Sequence, residues 1–142
     1  MTEESAVRAA RDLRVVVGRL RRRLRALAGS DALTPSQTSL LTRLGKEGPA
    51  SASALAAAEG VRPQSVATLL AALDEQGLID RRPDPADGRR QVISLSAAGQ
   101  RMFESTSRAR EEWLARSLQD RFTEAERQTV IEALALLDRL AE

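Results

Sequence analysis

Residues 77–99 of this 142-residue chain read GLIDRRPDPADGRRQVISLSAAG. Two short runs in this stretch have strand character, Leu78–Arg82 and Gln91–Leu95, and Leu95 is expected to face inward. The polar residues of Pro83–Gly88 between them are typical of a turn. We therefore expect a β-hairpin with a long tip.

Two helices are predicted immediately before this hairpin, Ala52–Glu59 and Pro63–Gln76. A helix-turn-helix needs a small residue where its helices cross, which Ala56 supplies. It also needs a turn residue that tolerates a left-handed backbone, which Gly60 supplies. Three apolar residues are expected to lock the second helix against the first: Val61, Val66 and Leu69. A helix pair alone would fit any bundle, but with the hairpin behind it the pair predicts a winged helix-turn-helix.

Long helices flank this region on both sides. Residues 6–27 carry apolar residues at alternating spacings of three and four, which indicates an amphipathic helix that ends near Gly29. A capping box at Thr34 opens the next helix, and a second one at Thr123 opens the last helix. The predicted fold is mainly α with a small β-hairpin wing. In domain terms, residues 31–99 form the winged lobe, and residues 1–30 and 100–142 form a helical dimerisation region.

The composition narrows the chemistry. The chain has 22 basic and 20 acidic residues, a net charge of +2, and no His, Cys or Tyr. The usual zinc, haem and iron–sulfur sites and Cys- or His-dependent nucleophiles are therefore excluded. The 8 glycines are scattered singly, so no glycine-rich phosphate loop exists. We expect no enzyme, no cofactor and no metal. The acidic start and the absence of a long apolar run predict a cytoplasmic protein without a membrane partner.

The second helix of a helix-turn-helix lies in the major groove of double-stranded DNA, with its N-terminal residues near the base edges. Among these residues, a glutamine suits adenine, and serine or threonine can reach bases or phosphates. Arginines on a hairpin tip suit a narrow minor groove. The predicted DNA-contacting residues are Arg62, Pro63, Gln64, Ser65 and Thr68 on the helix, and Arg82, Arg89 and Arg90 on the hairpin.

The hairpin and the helix start behind it closely resemble the wing of MarR-type (multiple antibiotic resistance regulator) transcription factors. The specific part is Asp87-x-Arg89 followed by Leu95-Ser96-x-x-Gly99. The resemblance implies a homodimer joined by its terminal helices on pseudo-palindromic operators. It also implies that Arg89 enters the minor groove and that Asp87 orients it through a salt bridge.

Two features of the second helix depart from the family pattern. Ala67 and Thr68 stand where an arginine is often found, and Arg62 replaces the usual Ser or Thr cap and cannot accept the backbone hydrogen bond. The missing cysteines place the chain outside the thiol-sensing branch. The missing histidines and cysteines also argue against the zinc-responsive branch.

The terminal helices offer a dimer interface. The predicted interface residues are Leu13, Val17 and Leu20 on the first helix, and Ile131, Leu134, Leu137 and Leu140 on the last. The first helix also carries eight arginines between residues 8 and 25. We favour a solvated face for them over a footprint for anions, because charge runs on helices are usually solvated.

Many MarR-type relatives bind small anionic or aromatic effectors, so such an effector is implied here by resemblance. Trp113 and Phe103 are its candidate contacts, although aromatic residues at helical spacing more often pack in a core. The sequence thus predicts a sequence-specific transcriptional regulator, a ligand-responsive repressor acting as a homodimer. Two alternatives are a winged-helix protein–protein interaction module without DNA binding, and an anionic-ligand carrier or enzyme.

Overall fold

A computed structural model describes residues 2–27 and 33–142. The chain is mainly helical with one small sheet, as predicted. The helices are α1 Thr2–Leu27, α2 Pro35–Glu47, α3 Ala52–Glu59, α4 Pro63–Glu75, α5 Ala97–Arg121 and α6 Glu124–Asp138, and a 3₁₀ turn Arg139–Ala141 follows the last. The strands are β1 Ala50–Ser51, β2 Ile79–Pro83 and β3 Gln91–Leu95.

Local sequence signals set most helix starts. Thr34 and Thr123 each form the expected capping box with the residue three positions on, and the Ser51 hydroxyl accepts the Ala54 N–H at 3.2 Å. The end predicted for α1, near Gly29, lies outside the described residues.

The end of α2 lies within the segment whose composition predicts it, Gly45 to Gly48-Pro49, at the second of the two glycines. Gly45 lies inside the helix, which ends only at Gly48 with a φ of 85°. The reason is a tertiary contact: a Cβ built on Gly45 would lie 2.4 Å from the Phe103 ring. The glycine therefore makes room for an aromatic side chain and does not break the helix.

The sheet has the strand order β1-β3-β2 and is antiparallel throughout. Strand β1 was not predicted. It pairs Ala50 with Ile93, which pairs on its other side with Arg81. Ile93 is therefore the fully buried residue of β3, whereas Leu95 is only partly buried.

The core lies between α2, α3, α4 and the sheet. Its side chains are mostly aliphatic, and burying one of this size contributes about 1.5–3 kcal/mol. The buried residues are Leu40, Leu41, Leu44, Leu55, Ala56, Val66, Leu70, Leu73, Leu78, Ile79 and Ile93. This core fixes the two elements that carry the predicted site residues, because α4 and the hairpin both contribute to it.

The chain divides into two compact units, residues 1–107 and residues 108–142. The first contains the whole winged helix-turn-helix with its core. The second contains the end of α5 and all of α6, where the Arg127 guanidinium donates to the Phe122 and Leu118 carbonyls and holds the turn between the two helices.

Candidate nucleic-acid interface

The turn between α3 and α4 has the geometry that a helix-turn-helix requires. Gly60 ends α3 in the left-handed region, at φ 66° and ψ 33°, and the Val61 N–H bonds to the Ala56 carbonyl at 3.1 Å. Ala56 is 3% exposed. A larger side chain there would push the helices apart. The roles predicted for Ala56 as the small crossing residue and for Gly60 as the turn residue are therefore confirmed.

Val61 was expected to lock α4 against α3, but its side chain is not buried between the two helices. It is 40% exposed and lines an open groove of about 660 Å³ beside α4. The groove is also lined by Arg25 of α1, by the first turn of α2 and by Ser65 and Thr68 of α4. The other two residues predicted with it do pack: Val66 is fully buried, and Leu69 is partly buried against the core.

All the predicted contact residues of α4 are exposed. The inner face of the helix buries Val66, Leu70 and Leu73 at 0–1% exposure. The predicted set faces solvent: Arg62, Pro63, Gln64, Ser65 and Thr68. The helix is therefore held by one side and leaves its N-terminal residues available on the other.

The N-terminus of α4 has no side-chain cap. Arg62 occupies the N-cap position with extended backbone and makes no capping hydrogen bond, as its side-chain chemistry predicted. Pro63 follows at the first helical position, where its missing N–H removes one donor that would otherwise need a partner.

The hairpin forms the wing, and backbone contacts order its tip. The strands pair from Ile79 with Leu95 to Pro83 with Gln91. Beyond them, the Asp84 N–H donates to the Arg90 carbonyl at 2.8 Å, which closes the loop. The predicted wing residues are all exposed: Arg82, Asp87, Arg89 and Arg90.

Asp87 acts on the main chain of Arg89. Its carboxylate accepts the Arg89 backbone N–H at 3.1 Å, and its carbonyl accepts the Arg90 N–H at 3.0 Å. In the described parts of the chain no ion pair joins the Asp87 and Arg89 side chains, so the expected salt bridge is not present. The carboxylate instead makes a local turn, which a side chain two residues ahead of a backbone N–H is well placed to form.

Three hydrogen bonds made by Ser96, which we call the Ser96 clamp, join the wing, the end of α4 and the start of α5. The Ser96 hydroxyl donates to the Gly77 carbonyl and accepts the Gly99 N–H at 3.1 Å, while the Ser96 N–H bonds to the Leu78 carbonyl at 3.0 Å. An added Cβ on Gly99 would lie 2.0 Å from the Leu78 oxygen. The Leu-Ser-x-x-Gly motif thus ties the end of β3 and the start of α5 to the residues that follow α4.

An ion pair makes a second link between α4 and the wing. The Arg81 guanidinium lies 3.2 Å from the Asp74 carboxylate, near the end of α4. This pair is not predictable from the sequence, because no local pattern connects the end of a helix with the middle of the next strand.

The two aromatic effector candidates lie in different units. Phe103 is half-buried, packs against the core and contacts Gly45. Trp113 is half-buried within the second unit. Core packing accounts for Phe103.

The terminal helices keep apolar side chains in solvent. On α1, Val17 and Leu20 are 43% and 42% exposed, whereas Leu13 is half-buried. On α6 no residue is buried. The predicted interface residues are 37–75% exposed: Ile131, Leu134 and Leu137 on α6, and Leu140 in the 3₁₀ turn behind it. Leu136, which was not predicted, is 61% exposed.

The eight arginines of α1 are all exposed, as a solvated face requires. In residues 2–27 and 33–142, no group of three or more acidic side chains is placed to hold a metal ion. No helix within the same ranges has the length and apolar character needed to span a membrane.

Comparison with known proteins agrees with this architecture. Residues 33–90 match the family model described as MarR family. An HTH-type transcriptional regulator from Mycobacterium bovis is 43% identical over 115 residues, which are 81% of this chain and 80% of the relative. A crystal structure of a putative transcriptional regulator from Pseudomonas aeruginosa is 36% identical, with a TM-score of 0.84 over 97% of this chain and 96% of that one. A MarR family protein from Bacillus stearothermophilus, 23% identical, shares the fold with a TM-score of 0.83 over 99% and 98% of the two chains.

The helix pair, the wing and the clamp between them define a winged helix-turn-helix protein of the DNA-binding, transcription-regulating class. The chain belongs to the MarR family. This is a family of transcriptional regulators and not a family of enzymes.

Proposed function

We propose that the protein is a ligand-responsive repressor that binds a pseudo-palindromic operator as a homodimer and acts in the cytoplasm. Helix α4 enters the major groove, and Arg89 at the wing tip enters the adjacent minor groove. The observation that carries this proposal is the exposure of all eight predicted DNA-contacting residues, and of Asp87 beside them, on two elements that share one core. Sequence-specific binding needs exposed contact residues that are held on rigid secondary-structure elements.

The exposed apolar residues of the terminal helices support the homodimer. Leu134 of α6 and Leu140 of the 3₁₀ turn behind it are 58% and 75% exposed, and Leu20 of α1 is 42% exposed. A row of this kind is stabilised when a second copy covers it. Two-fold symmetry would then set the two α4 helices about 34–36 Å apart, one turn of the double helix.

An effector would act on this assembly by favouring one separation of the two winged lobes over another. Trp113 remains the candidate contact for an aromatic or anionic compound, because Phe103 already packs against Gly45.

Selection of bound DNA from a random pool, followed by fluorescence anisotropy titration, tests the proposal. We expect one enriched palindrome, a Kd on the order of 10⁻⁸ M or tighter, and a steep dependence on salt. Arg89→Ala should lose most of that affinity with dimer and helicity unchanged. Arg116→Ala, which removes an exposed arginine from α5, is the matched control.

A pool without enrichment would overturn the proposal and favour the interaction module. The uncharged outer face of α4 is the observation behind that second candidate. If Arg89→Ala bound the operator with wild-type affinity, the Arg89 contact in the minor groove would be excluded.

A further inference from the structure

The outward face of α4 is a single stripe with an unusual chemistry. Gln64, Ala67, Thr68 and Ala71 are exposed and follow the spacing i, i+3, i+4, i+7, which puts them on one side of a helix. Val66, Leu70 and Leu73 on the other side are buried. We call these four exposed residues the reading stripe. It carries one amide, one hydroxyl and methyl groups, but no charge.

Guanine is the base that the stripe is least able to read. Guanine presents two acceptors in the major groove, and the side chains that pair with both are arginine and lysine. Helix α4, from Pro63 to Glu75, contains neither. The Gln64 amide has one donor and one acceptor side by side, which matches the N6 donor and N7 acceptor of adenine.

The Thr68 hydroxyl is already engaged. Its hydrogen is donated to the Gln64 carbonyl at 3.1 Å. Thr68 therefore has no hydrogen left for an acceptor on guanine or thymine, and it offers a base only its lone pairs and its methyl group. The same bond restricts the rotation of the side chain.

The remaining members of the stripe offer only apolar contact. Ala67 and Ala71 each present a methyl group, and the apolar feature of a major groove is the C5-methyl group of thymine. From Gln64 to Ala71 the helix rises about 10 Å, which spans roughly three base pairs at 3.4 Å each.

Charged residues lie at the two ends of α4. Arg62 sits at the N-cap, ahead of the helical turns that form the stripe, so we assign it to a phosphate. Glu75 is exposed in the last turn, where its charge opposes approach to the DNA backbone. The base-reading part of α4 is therefore its first two turns.

We infer that α4 reads about three consecutive A·T base pairs in each half-site, by an adenine contact from Gln64 and thymine-methyl contacts from Ala67, Thr68 and Ala71. This inference rests on the proposed function and names the sequence class of its operator. Within the reading stripe, specificity comes from one amide and from methyl groups, without an arginine-to-guanine contact in the major groove.

The thymine contacts are tested by base substitution in the operator selected from a random pool. Replacing each thymine by deoxyuridine removes only its C5-methyl group. We expect two or three positions per half-site at which affinity falls, by up to about 4-fold each. Affinity that is the same at every deoxyuridine position would overturn the methyl contacts.

The adenine contact is tested by a double-mutant cycle. Replacing adenine by 7-deazaadenine removes the N7 acceptor, and Gln64→Ala removes the amide while leaving the backbone carbonyl that Thr68 uses. Gln64→Ala should cost about 5- to 150-fold, the range for a bidentate pair. The 7-deaza base should cost less, because it removes one of the two hydrogen bonds, and the two changes together should cost little more than Gln64→Ala alone. Full additivity at every adenine would overturn the assignment, and Gln119→Ala, an exposed glutamine of α5, controls for loss of an amide.

Arg62→Gln separates phosphate from base contacts. It should weaken all sequences equally and reduce the salt slope by about one. A change in base preference in this variant, or a selected half-site built on guanine contacts, would overturn the inference while leaving specific DNA binding intact. Absence of any selected sequence would instead overturn the proposed function.

Discussion

The α-carbon of Gly99 packs directly against the carbonyl oxygen of Leu78, so closely that a Cβ at position 99 would lie 2.0 Å from that oxygen. The first turn of α5 can approach the start of β2 only because residue 99 has no side chain. This contact explains why the glycine of the Leu-Ser-x-x-Gly motif stands four positions after Leu95.

Gly99→Ala should destabilise the winged unit. The added methyl group meets backbone and not a flexible side chain, and forcing extra volume into a packed site costs about 1–3 kcal/mol. Denaturant unfolding followed by circular dichroism measures the change. Gly88→Ala is the control, because nothing lies within 4 Å of a Cβ there. Equal stability of Gly99→Ala and wild type would contradict the contact.

Variants of Asp87 separate a backbone role from an ionic one. Asp87→Asn keeps the oxygen that accepts the Arg89 N–H, so it should bind DNA nearly as well as wild type. Asp87→Ala loses the acceptor and should bind more weakly, because the tip of the wing loses its turn. Operator titrations at one salt concentration measure both. An Asn variant as weak as the Ala variant would point to the carboxylate charge in the DNA-bound state.

Charges placed in the exposed apolar rows should prevent dimer formation. Leu20→Asp combined with Leu137→Asp puts carboxylates where the homodimer would bury them, and an unpaired buried charge is strongly unfavourable. Sedimentation velocity should then report a monomer with wild-type helicity. Arg116→Asp, on an exposed position of α5, tests whether added negative charge alone has this effect. If the double variant remained a dimer, the dimer interface would have to lie on other residues.

The capping box of α6 makes its stability depend on pH. The Thr123 backbone N–H donates to the Glu126 carboxylate and lowers the pKa of that group below its usual value, and Gln128 and Arg127 lower the pKa of Glu124 in the same way. A carboxyl with a lowered pKa in the folded state stabilises it above the ordinary pKa, and this stability is lost as the pH falls through the lowered value.

Thermal unfolding at neutral pH and near pH 3 should therefore show a smaller acid-induced drop for Glu126→Gln than for wild type. Glu132→Gln removes an exposed carboxylate from the same helix and is the control. Identical pH profiles for wild type and Glu126→Gln would rule out the capping box as a source of acid sensitivity.

Features set by neighbours in the chain were predictable from the sequence. The boxes at Thr34 and Thr123 need only residues three positions apart, and Gly60 ends α3 because its own backbone is left-handed. The exposure of Gln64 and Arg89 followed from their places in a helix-turn-helix and a hairpin.

Features set by distant residues were not predictable. Strand β1 is too short to have a pattern of its own and exists only because it pairs with β3. Gly45 resembles a helix end until Phe103 packs on it. The Asp87 carboxylate could have bonded to either the side chain or the main chain of Arg89, and residue types alone do not distinguish the two.

The Ser96 clamp has a mechanical consequence. Ser96, the residue before α5, is hydrogen-bonded to Gly77, two residues after the last residue of α4, and also to Gly99 in the first turn of α5. A tilt of the start of α5 would therefore drag the C-terminal end of α4 with it. Helix α4 and the hairpin are coupled at this point, and a displacement of the first turn of α5 would reach both elements together.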